Sequence, residues 1–217
     1  MAREARERIA LASNRLAADG LVLGTAGNLS ERIDDIVAVT PTGADLATLT
    51  SDQVVVVDLD GDPVEGDLLP TSELELHLGI YRQYESGAVV HTHSPYATAV
   101  ACVLEDELPV IHYQLLALGG PVRIAPYLTF GTPALAEATI AALEDRAAAL
   151  MGNHGAITHG PDLATAVAQT RLLEWGCALY CRAAAIGTPR ALDPGQQLEF
   201  VEAVTARQYG ATQARQR

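Results

Sequence analysis

The spacing of apolar residues along the chain predicts six helices and five strands. Helices are indicated where apolar residues recur every three or four positions and a glycine, proline or hydroxyl residue marks an end. The helical segments are residues 2–19, a segment from residue 74, and residues 96–104, 133 to about 147, 161 to about 185 and 196–209. Short apolar runs between turn residues predict strands. They are residues 36–40, 54–59, 88–93, 108–113 and 122–125. The tail after Gly210 is expected to be loose.

Length and composition favour one globular domain that spans residues 1–217. Hydrophobic residues make up 49% of the chain and charged residues 19%, which is typical of soluble globular proteins. No apolar run approaches the roughly 20 residues that a membrane-spanning helix needs. The N-terminus has no apolar block followed by a small-residue cleavage site, so we expect a cytoplasmic protein with no membrane partner.

Charge and cysteine content narrow the classes of partner. The formal net charge of −13 disfavours nucleic acid, because phosphate backbones are bound by clustered lysine and arginine. A phosphorylated small molecule is still compatible, since backbone N–H groups, hydroxyls and a metal ion can hold it. The three cysteines lack a Cys-x-x-Cys spacing, which argues against a disulfide framework or a zinc ribbon.

The candidate chemistry centres on His91-Thr-His93, at the end of a β-branched run. In a strand, side chains two positions apart share one face and lie about 6.6 Å apart, close enough to converge on one metal ion. The motif alone leaves a second interpretation open, in which two histidines at a strand end bond to backbone carbonyls. A metal site therefore requires further ligands from elsewhere in the chain.

Three other segments each have a functional and a structural interpretation. The glycine-rich stretch 24–30 allows close approach of backbone to a ligand, and it also suits a simple turn. Glu73 stands at a helix start, where a carboxylate caps the helix or lies beside an anion site. His154 sits in a polar Asn-His-Gly centre between apolar residues, where it is a core or turn residue or a third metal ligand.

Seven short motifs, in this order along the chain, resemble those of the class II aldolase family typified by L-fuculose-1-phosphate aldolase. They are Gly-Thr-Ala-Gly-Asn-Leu-Ser at 24–30, Thr-Pro-Thr-Gly at 40–43, Thr-Ser-Glu at 71–73, Val-Val-His-Thr-His at 89–93, Ile-His-Tyr at 111–113, Ala-Pro-Tyr-Leu-Thr-Phe-Gly-Thr at 125–132 and Asn-His-Gly at 153–155. The resemblance implies an α/β fold, a three-layer domain with a largely antiparallel central sheet flanked by helices. It also implies a homotetramer with active sites at subunit interfaces.

The resemblance assigns a role to each matched position. It implies one zinc ion per subunit, with Mn²⁺ or Co²⁺ as alternatives. Its metal ligands are His91, His93, His154 and Glu73, and Glu73 is also the catalytic carboxylate. Its phosphate-binding residues are Gly27, Asn28, Thr42, Gly43, Thr71 and Ser72. Tyr113 and Tyr209 match two tyrosines that complete the site, whereas the other three histidines, His77, His112 and His159, match no ligand.

The implied activity is the reversible cleavage of a ketose 1-phosphate, such as L-fuculose 1-phosphate, to dihydroxyacetone phosphate and a short aldehyde such as lactaldehyde. Zinc would act as a Lewis acid and Glu73 would carry the C3 proton. The chain has no lysine, so the Schiff-base mechanism of other aldolases is excluded.

Related activities stay open at this point. Sugar-phosphate 4-epimerases of the family typically carry aspartate at the position of Glu73 and an acidic residue in the region of 113–123, and both features are missing here. Methylthioribulose-1-phosphate dehydratases keep the histidines, and aldolases of 5-deoxyribulose or rhamnulose phosphates are further alternatives. A non-catalytic module like the adducin head domain is disfavoured, because the chain keeps all four candidate ligands.

Overall fold

The structure, a computed structural model, describes residues 1–207. Its centre is a nine-stranded sheet in the order β4-β3-β2-β1-β5-β9-β8-β7-β6. The strands are β1 Asn28–Ile33, β2 Ile36–Val39, β3 Val55–Asp58, β4 Pro63–Glu65, β5 Ala88–Thr92, β6 Glu107–Leu108, β7 Val122–Ala125, β8 Ala148–Met151 and β9 Gly155–Gly160. Every pairing is antiparallel except that of β7 with β8. The predicted α/β fold with a largely antiparallel sheet is confirmed.

Helices cover both faces of the sheet. They are α1 Ala2–Ala18, α2 Leu74–Gln83, α3 Pro95–Ala101, α4 Pro133–Ala142, α5 Leu163–Ile186 and α6 Pro194–Arg207. Helices α1, α3 and α5 pack on one face, while α2 and α4 pack on the other. No helix within residues 1–207 is long and apolar enough to cross a membrane.

Neighbouring strand residues divide between the two layers of the core. In β2, Val37 and Val39 pack with α2 and α4, whereas Ala38 packs with α1. In β5, Val89 and Val90 divide in the same way. Side chains alternate along a strand, so a continuous apolar run is the pattern of a strand buried on both faces.

The predicted elements differ from the structure in three places. The helix expected to reach about residue 147 ends at Ala142, because the chain turns through Asp145, at a positive φ of 56°, to enter β8. In the segment predicted to be extended over 108–113, only Glu107–Leu108 pair as a strand, and a 3-10 helix spans Tyr113–Leu118. The sequence does not predict strands β1, β4, β8 and β9, because they lack a clear β-branched pattern.

Candidate metal centre and adjoining pocket

Three histidines converge at one end of the sheet. His91 lies in β5, His93 follows the last residue of that strand, and His154 lies in the turn between β8 and β9. Each has a ring nitrogen within 4.8 Å of one in each of the others, and the ring centroids are 4.8–4.9 Å apart. These three residues form a metal-binding triad, which answers the question that His-x-His left open.

Local backbone geometry orients the triad. His91 Nδ1 lies 2.9 Å from the carbonyl oxygen of Ala156, so Nδ1 carries the proton and Nε2 keeps a lone pair for the centre. Asn153 adopts a left-handed φ of 53° and turns the chain so that His154 faces inward. A Cβ built at Gly155 would collide with the Thr92 carbonyl oxygen, so only glycine fits there. The end of β5 and the turn between β8 and β9 together fix the orientations of the three rings.

The Glu73 carboxylate points at the triad instead of capping its helix. Glu73 is the N-cap residue of α2, yet its side chain makes no capping hydrogen bond. Its Oε2 is 3.2 Å from His91 Nε2 and its Oε1 is 3.6 Å from His154 Nε2. Asn28 Nδ2 donates to Oε2 over 3.0 Å. The alternative interpretation of Glu73 as a capping carboxylate is therefore wrong.

The residues of this centre fit a divalent cation. Burial and the neighbouring histidines lower the pKa of His93 to about 4, and they also lower that of His154. Burial would raise the pKa of Glu73, but His91 and the Asn28 hydrogen bond outweigh it, and the net shift is downward. Glu73 Oε1 is buried and has no hydrogen-bond partner among residues 1–207. Neutral imidazoles beside an ionised carboxylate with an unsatisfied oxygen suit a bound cation.

A pocket of about 340 Å³ opens beside the triad. Glu73, His93 and His154 line it together with every residue predicted to bind phosphate. Those six are Gly27, Asn28, Thr42, Gly43, Thr71 and Ser72. None of the described lining residues is a lysine or an arginine. The structure thus brings into one cavity predicted site residues that are up to 127 positions apart, from Gly27 to His154.

Gly27 allows the pocket wall to pass close to the metal-binding strand. Its φ is 102°, and a Cβ there would lie 2.9 Å from the His91 carbonyl oxygen and 3.1 Å from Val22 Cγ1. A side chain would therefore be strained by both conformation and contact. The glycine-rich stretch thus passes close to the strand that carries His91, and its contact with a ligand stays a prediction.

Sequence reasoning missed the apolar part of the pocket. Tyr127, Leu128 and Phe130 line its wall, and the Tyr127 and Phe130 side chains are 65% and 66% exposed. All three lie in the matched motif at 125–132, which carried no assigned role. Two large exposed aromatic side chains beside a polar centre are a signal that only the folded chain supplies.

Of the two predicted tyrosines, the structure describes only Tyr113, which does not line the pocket that one chain forms. Tyr113 begins the 3-10 helix, and its ring packs 4.3 Å from that of His112 and 4.5 Å from that of Phe200 in α6. It is not among the described residues that line the pocket. Tyr209 lies outside the described residues. Their catalytic roles stay predictions.

The fold and the three-histidine centre define a metal-dependent enzyme of the class II aldolase type. Comparison with known proteins gives the family directly, because residues 7–181 match the family described as Class II Aldolase and Adducin N-terminal domain. The chain belongs to that family.

Individual relatives agree with this assignment. The 5-deoxy-D-ribulose 1-phosphate aldolase of Bacillus thuringiensis serovar kurstaki is 40% identical over 198 residues, covering 89% of this chain and 92% of the relative. The L-fuculose phosphate aldolase of Escherichia coli K12 is 40% identical over 172 residues, covering 78% and 79%. A solved structure of an L-fuculose 1-phosphate aldolase superposes with a TM-score of 0.88 at 33% identity, covering 93% and 96%. The chain is accordingly a metal-dependent aldolase, an aldehyde-lyase.

Proposed function

We propose that the protein is a zinc-dependent aldolase that reversibly cleaves a ketose 1-phosphate to dihydroxyacetone phosphate and a short aldehyde. The observation that carries the proposal is that one pocket is lined by both the metal centre and the predicted phosphate-binding residues. This pocket joins Glu73, two of the triad histidines and a set of neutral groups suited to phosphate. Zinc, when held by His91, His93, His154 and Glu73, supplies Lewis-acid stabilisation of the negative charge that develops at the substrate carbonyl.

Glu73 is the group that carries the C3 proton. In cleavage, a second proton-transfer group takes the proton of the C4 hydroxyl and passes it to solvent, the C3–C4 bond breaks, and the electron pair stays on the C3 side as an enediolate while C4 becomes the aldehyde. Glu73, which takes up a proton from solvent for this step, gives it to C3, which yields dihydroxyacetone phosphate, and returns to the carboxylate form. In synthesis the carboxylate removes that same proton. Its position against the triad supports this role.

Neutral groups hold the substrate phosphate. Gly43, Thr71 and Ser72 line the pocket beside Asn28, and they supply backbone N–H groups and hydroxyls but no charge. Thr71 and Ser72 immediately precede Glu73 at the start of α2, where the positive end of the helix dipole favours an anion. The phosphate would thereby place C3 of the substrate beside the Glu73 carboxylate.

Completion of the site by a second copy of the chain is part of the proposal. The C4 hydroxyl needs a second proton-transfer group, and Tyr113 and Tyr209 are the candidates by resemblance. Because Tyr113 lies away from its own chain's pocket, it would act in the pocket of a neighbouring subunit. A homotetramer with shared active sites is the corresponding assembly.

The substrate class is a deoxyketose 1-phosphate whose released aldehyde ends in a methyl group. The relatives named for L-fuculose phosphate and for 5-deoxyribulose 1-phosphate match this chain at equal identity. Cleavage of these sugars gives lactaldehyde and acetaldehyde, respectively. Leu128 and Phe130 supply an apolar wall against which such a methyl group can pack.

We also propose a cytoplasmic location, which the three free cysteines support.

A product assay tests the activity. Zinc-loaded protein is incubated with L-fuculose 1-phosphate, 5-deoxyribulose 1-phosphate, methylthioribulose 1-phosphate and rhamnulose 1-phosphate, and release of dihydroxyacetone phosphate is followed by its reduction with a coupling enzyme. Release from at least one substrate, abolished by a chelator and restored by zinc, is expected. An epimer or a dehydrated product in place of dihydroxyacetone phosphate would refute the aldolase assignment.

A further inference from the structure

A chain of hydrogen bonds between buried polar side chains extends from the Glu73 carboxylate into the protein core. Asn28 Nδ2 is 3.0 Å from Glu73 Oε2, and Asn28 Oδ1 is 2.5 Å from His77 Nε2. His77 Nδ1 is 2.6 Å from Ser30 Oγ, which lies 2.7 Å from the Tyr81 hydroxyl. The side chains come from β1 and α2. None of the five residues is more than 7% exposed.

The Glu73 carboxylate determines the directions of the first two hydrogen bonds, those of Asn28 to Glu73 and of His77 to Asn28. An ionised carboxylate only accepts, so the Asn28 amide must present its NH₂ group to Glu73 and its oxygen to His77. That oxygen also only accepts, so His77 Nε2 must carry a proton. No other orientation of the Asn28 amide gives both ends a partner.

The remaining bonds follow from the neutrality of the His77 ring. The ring is completely buried and burial lowers its pKa to about 3, so it carries one proton, on Nε2, and Nδ1 accepts from the Ser30 hydroxyl. The Ser30 oxygen then accepts from the Tyr81 hydroxyl. Each side chain therefore donates to the next, from Tyr81 through Ser30, His77 and Asn28, and the last hydrogen bond ends on Glu73 Oε2.

We propose that His77, fixed by Ser30 and Tyr81, is a positioning residue that holds the Asn28 amide with its NH₂ group on the catalytic carboxylate. The reversed amide would place Asn28 Oδ1 about 3 Å from Glu73 Oε2, with two acceptors in contact and a buried donor unused. These hydrogen bonds therefore keep Glu73 Oε2 occupied. Oε1, which has no hydrogen-bond partner among residues 1–207, is left to carry the C3 proton. This inference rests on the proposed function, since it assigns Glu73 as the proton carrier.

The first test measures the Glu73 step alone. Dihydroxyacetone phosphate is incubated with zinc-loaded protein in D₂O, and exchange of its C3 proton is followed by NMR. We expect His77→Leu to lower the exchange rate about 10- to 100-fold, the usual loss for a residue that orients a metal-site group, with the half-saturating concentration changed less than about threefold and full zinc content. His77→Gln, whose amide can donate to Asn28 and accept from Ser30, should recover much of the rate.

His159 offers a matched control for the loss of a histidine. It is bonded to a serine hydroxyl, Ser86, at the same 2.6 Å, and its Nε2 donates to the Arg146 carbonyl oxygen over 2.9 Å. His159→Leu should leave the exchange rate at the wild-type value. Equal loss in both variants, or a change in half-saturating concentration alone for His77→Leu, would overturn the proposal.

A second pair of variants applies if His77→Leu does not fold. Ser30→Ala removes the donor that fixes the His77 tautomer and should lower exchange, whereas Ser86→Ala, which breaks the equivalent bond at His159, should not. Equal exchange in these two variants would contradict the inference.

Histidine ¹⁵N NMR of the wild type should show the His77 ring as the Nε2–H tautomer. The His77 signals are identified by their absence in His77→Gln. An Nδ1–H tautomer would also overturn the inference.

The two proposals fail in distinguishable ways. A wild-type protein that catalyses neither exchange nor cleavage would refute the proposed function. A wild-type protein that catalyses exchange, and is matched in rate by His77→Leu, would refute only the positioning role of His77.

Discussion

Burial of a neutral His77 should make the metal-free protein unstable in acid. The pKa of His77 is lowered from an ordinary value of 6.5 to about 3 by burial, and Glu73 only partly opposes that shift. Below the ordinary value the unfolded chain takes up a proton that the folded chain does not. Stability is therefore fully present above about pH 6.5 and is lost as the pH falls from there toward about 3.

The size of the loss follows from the two pKa values. Each pH unit across this window changes the free energy of unfolding by about 1.4 kcal/mol for one group. Between about pH 7, where the unfolded ring is mostly neutral, and about pH 4.5, His77 alone should therefore remove about 3 kcal/mol. Because the ring is completely buried, solvent screening does not reduce this figure.

Urea unfolding at two pH values isolates the contribution of His77. Wild type and His77→Gln are unfolded at about pH 7 and about pH 4.5, with the metal removed and protein concentration fixed, since subunit association also affects stability. The wild type should lose about 3 kcal/mol more than the variant over this interval. Equal losses within about 1 kcal/mol would show that His77 is not held neutral, and the hydrogen-bond directions derived from its neutrality would no longer follow.

Four further outcomes are expected at the metal centre. Glu73→Gln should keep most of the zinc but lower C3 exchange and cleavage by about 10²- to 10⁴-fold, as expected for loss of a general base, and near-normal turnover would exclude Glu73 from that role. His93→Ala should lose zinc by elemental analysis, and full zinc content would remove His93 from the ligand set. Gly27→Ala should destabilise the protein by more than Gly20→Ala in urea unfolding, because both positions have positive φ but only the Gly27 Cβ meets the His91 carbonyl; equal losses would contradict that contact. Activity of the zinc enzyme should fall as the pH approaches about 4, the pKa of His93, because protonated histidines release metal, and a profile still flat at about pH 3 would contradict a histidine-held ion.

The metal triad could be predicted because its signal is local and chemically specific. His91 and His93 lie two positions apart at the end of a recognisable strand, and the order of the surrounding motifs supplied His154 and Glu73. The direction of the Glu73 side chain could not be predicted in this way. A carboxylate at a helix start fits both a cap and a metal centre, and only the positions of β1 and β5 decide between them.

The hydrogen bonds that link His77 to Glu73 could not be predicted from the sequence, for a different reason. His77 matches no ligand in the sequence motifs, and its partners Asn28 and Ser30 are 49 and 47 positions away. Hydrogen-bond partners at that separation have no periodicity to reveal them. Tyr113 shows the complementary case, since its motif is recognisable while one chain alone does not bring it to the pocket.

The acidic charge of the chain is consistent with a phosphosugar substrate because of how the pocket is built. A net charge of −13 repels a phosphate at long range, but salt screens that repulsion beyond about 8–10 Å at physiological ionic strength. Inside the pocket the wall is free of arginine and lysine among the described residues, so attraction must come from the cation and from the start of α2. The neutral state of the imidazoles leaves the charge of the cation undiminished. Glu73 is the one acidic residue that lines the pocket within residues 1–207, so the negative charge of the wall is confined to the carboxylate beside the histidine triad.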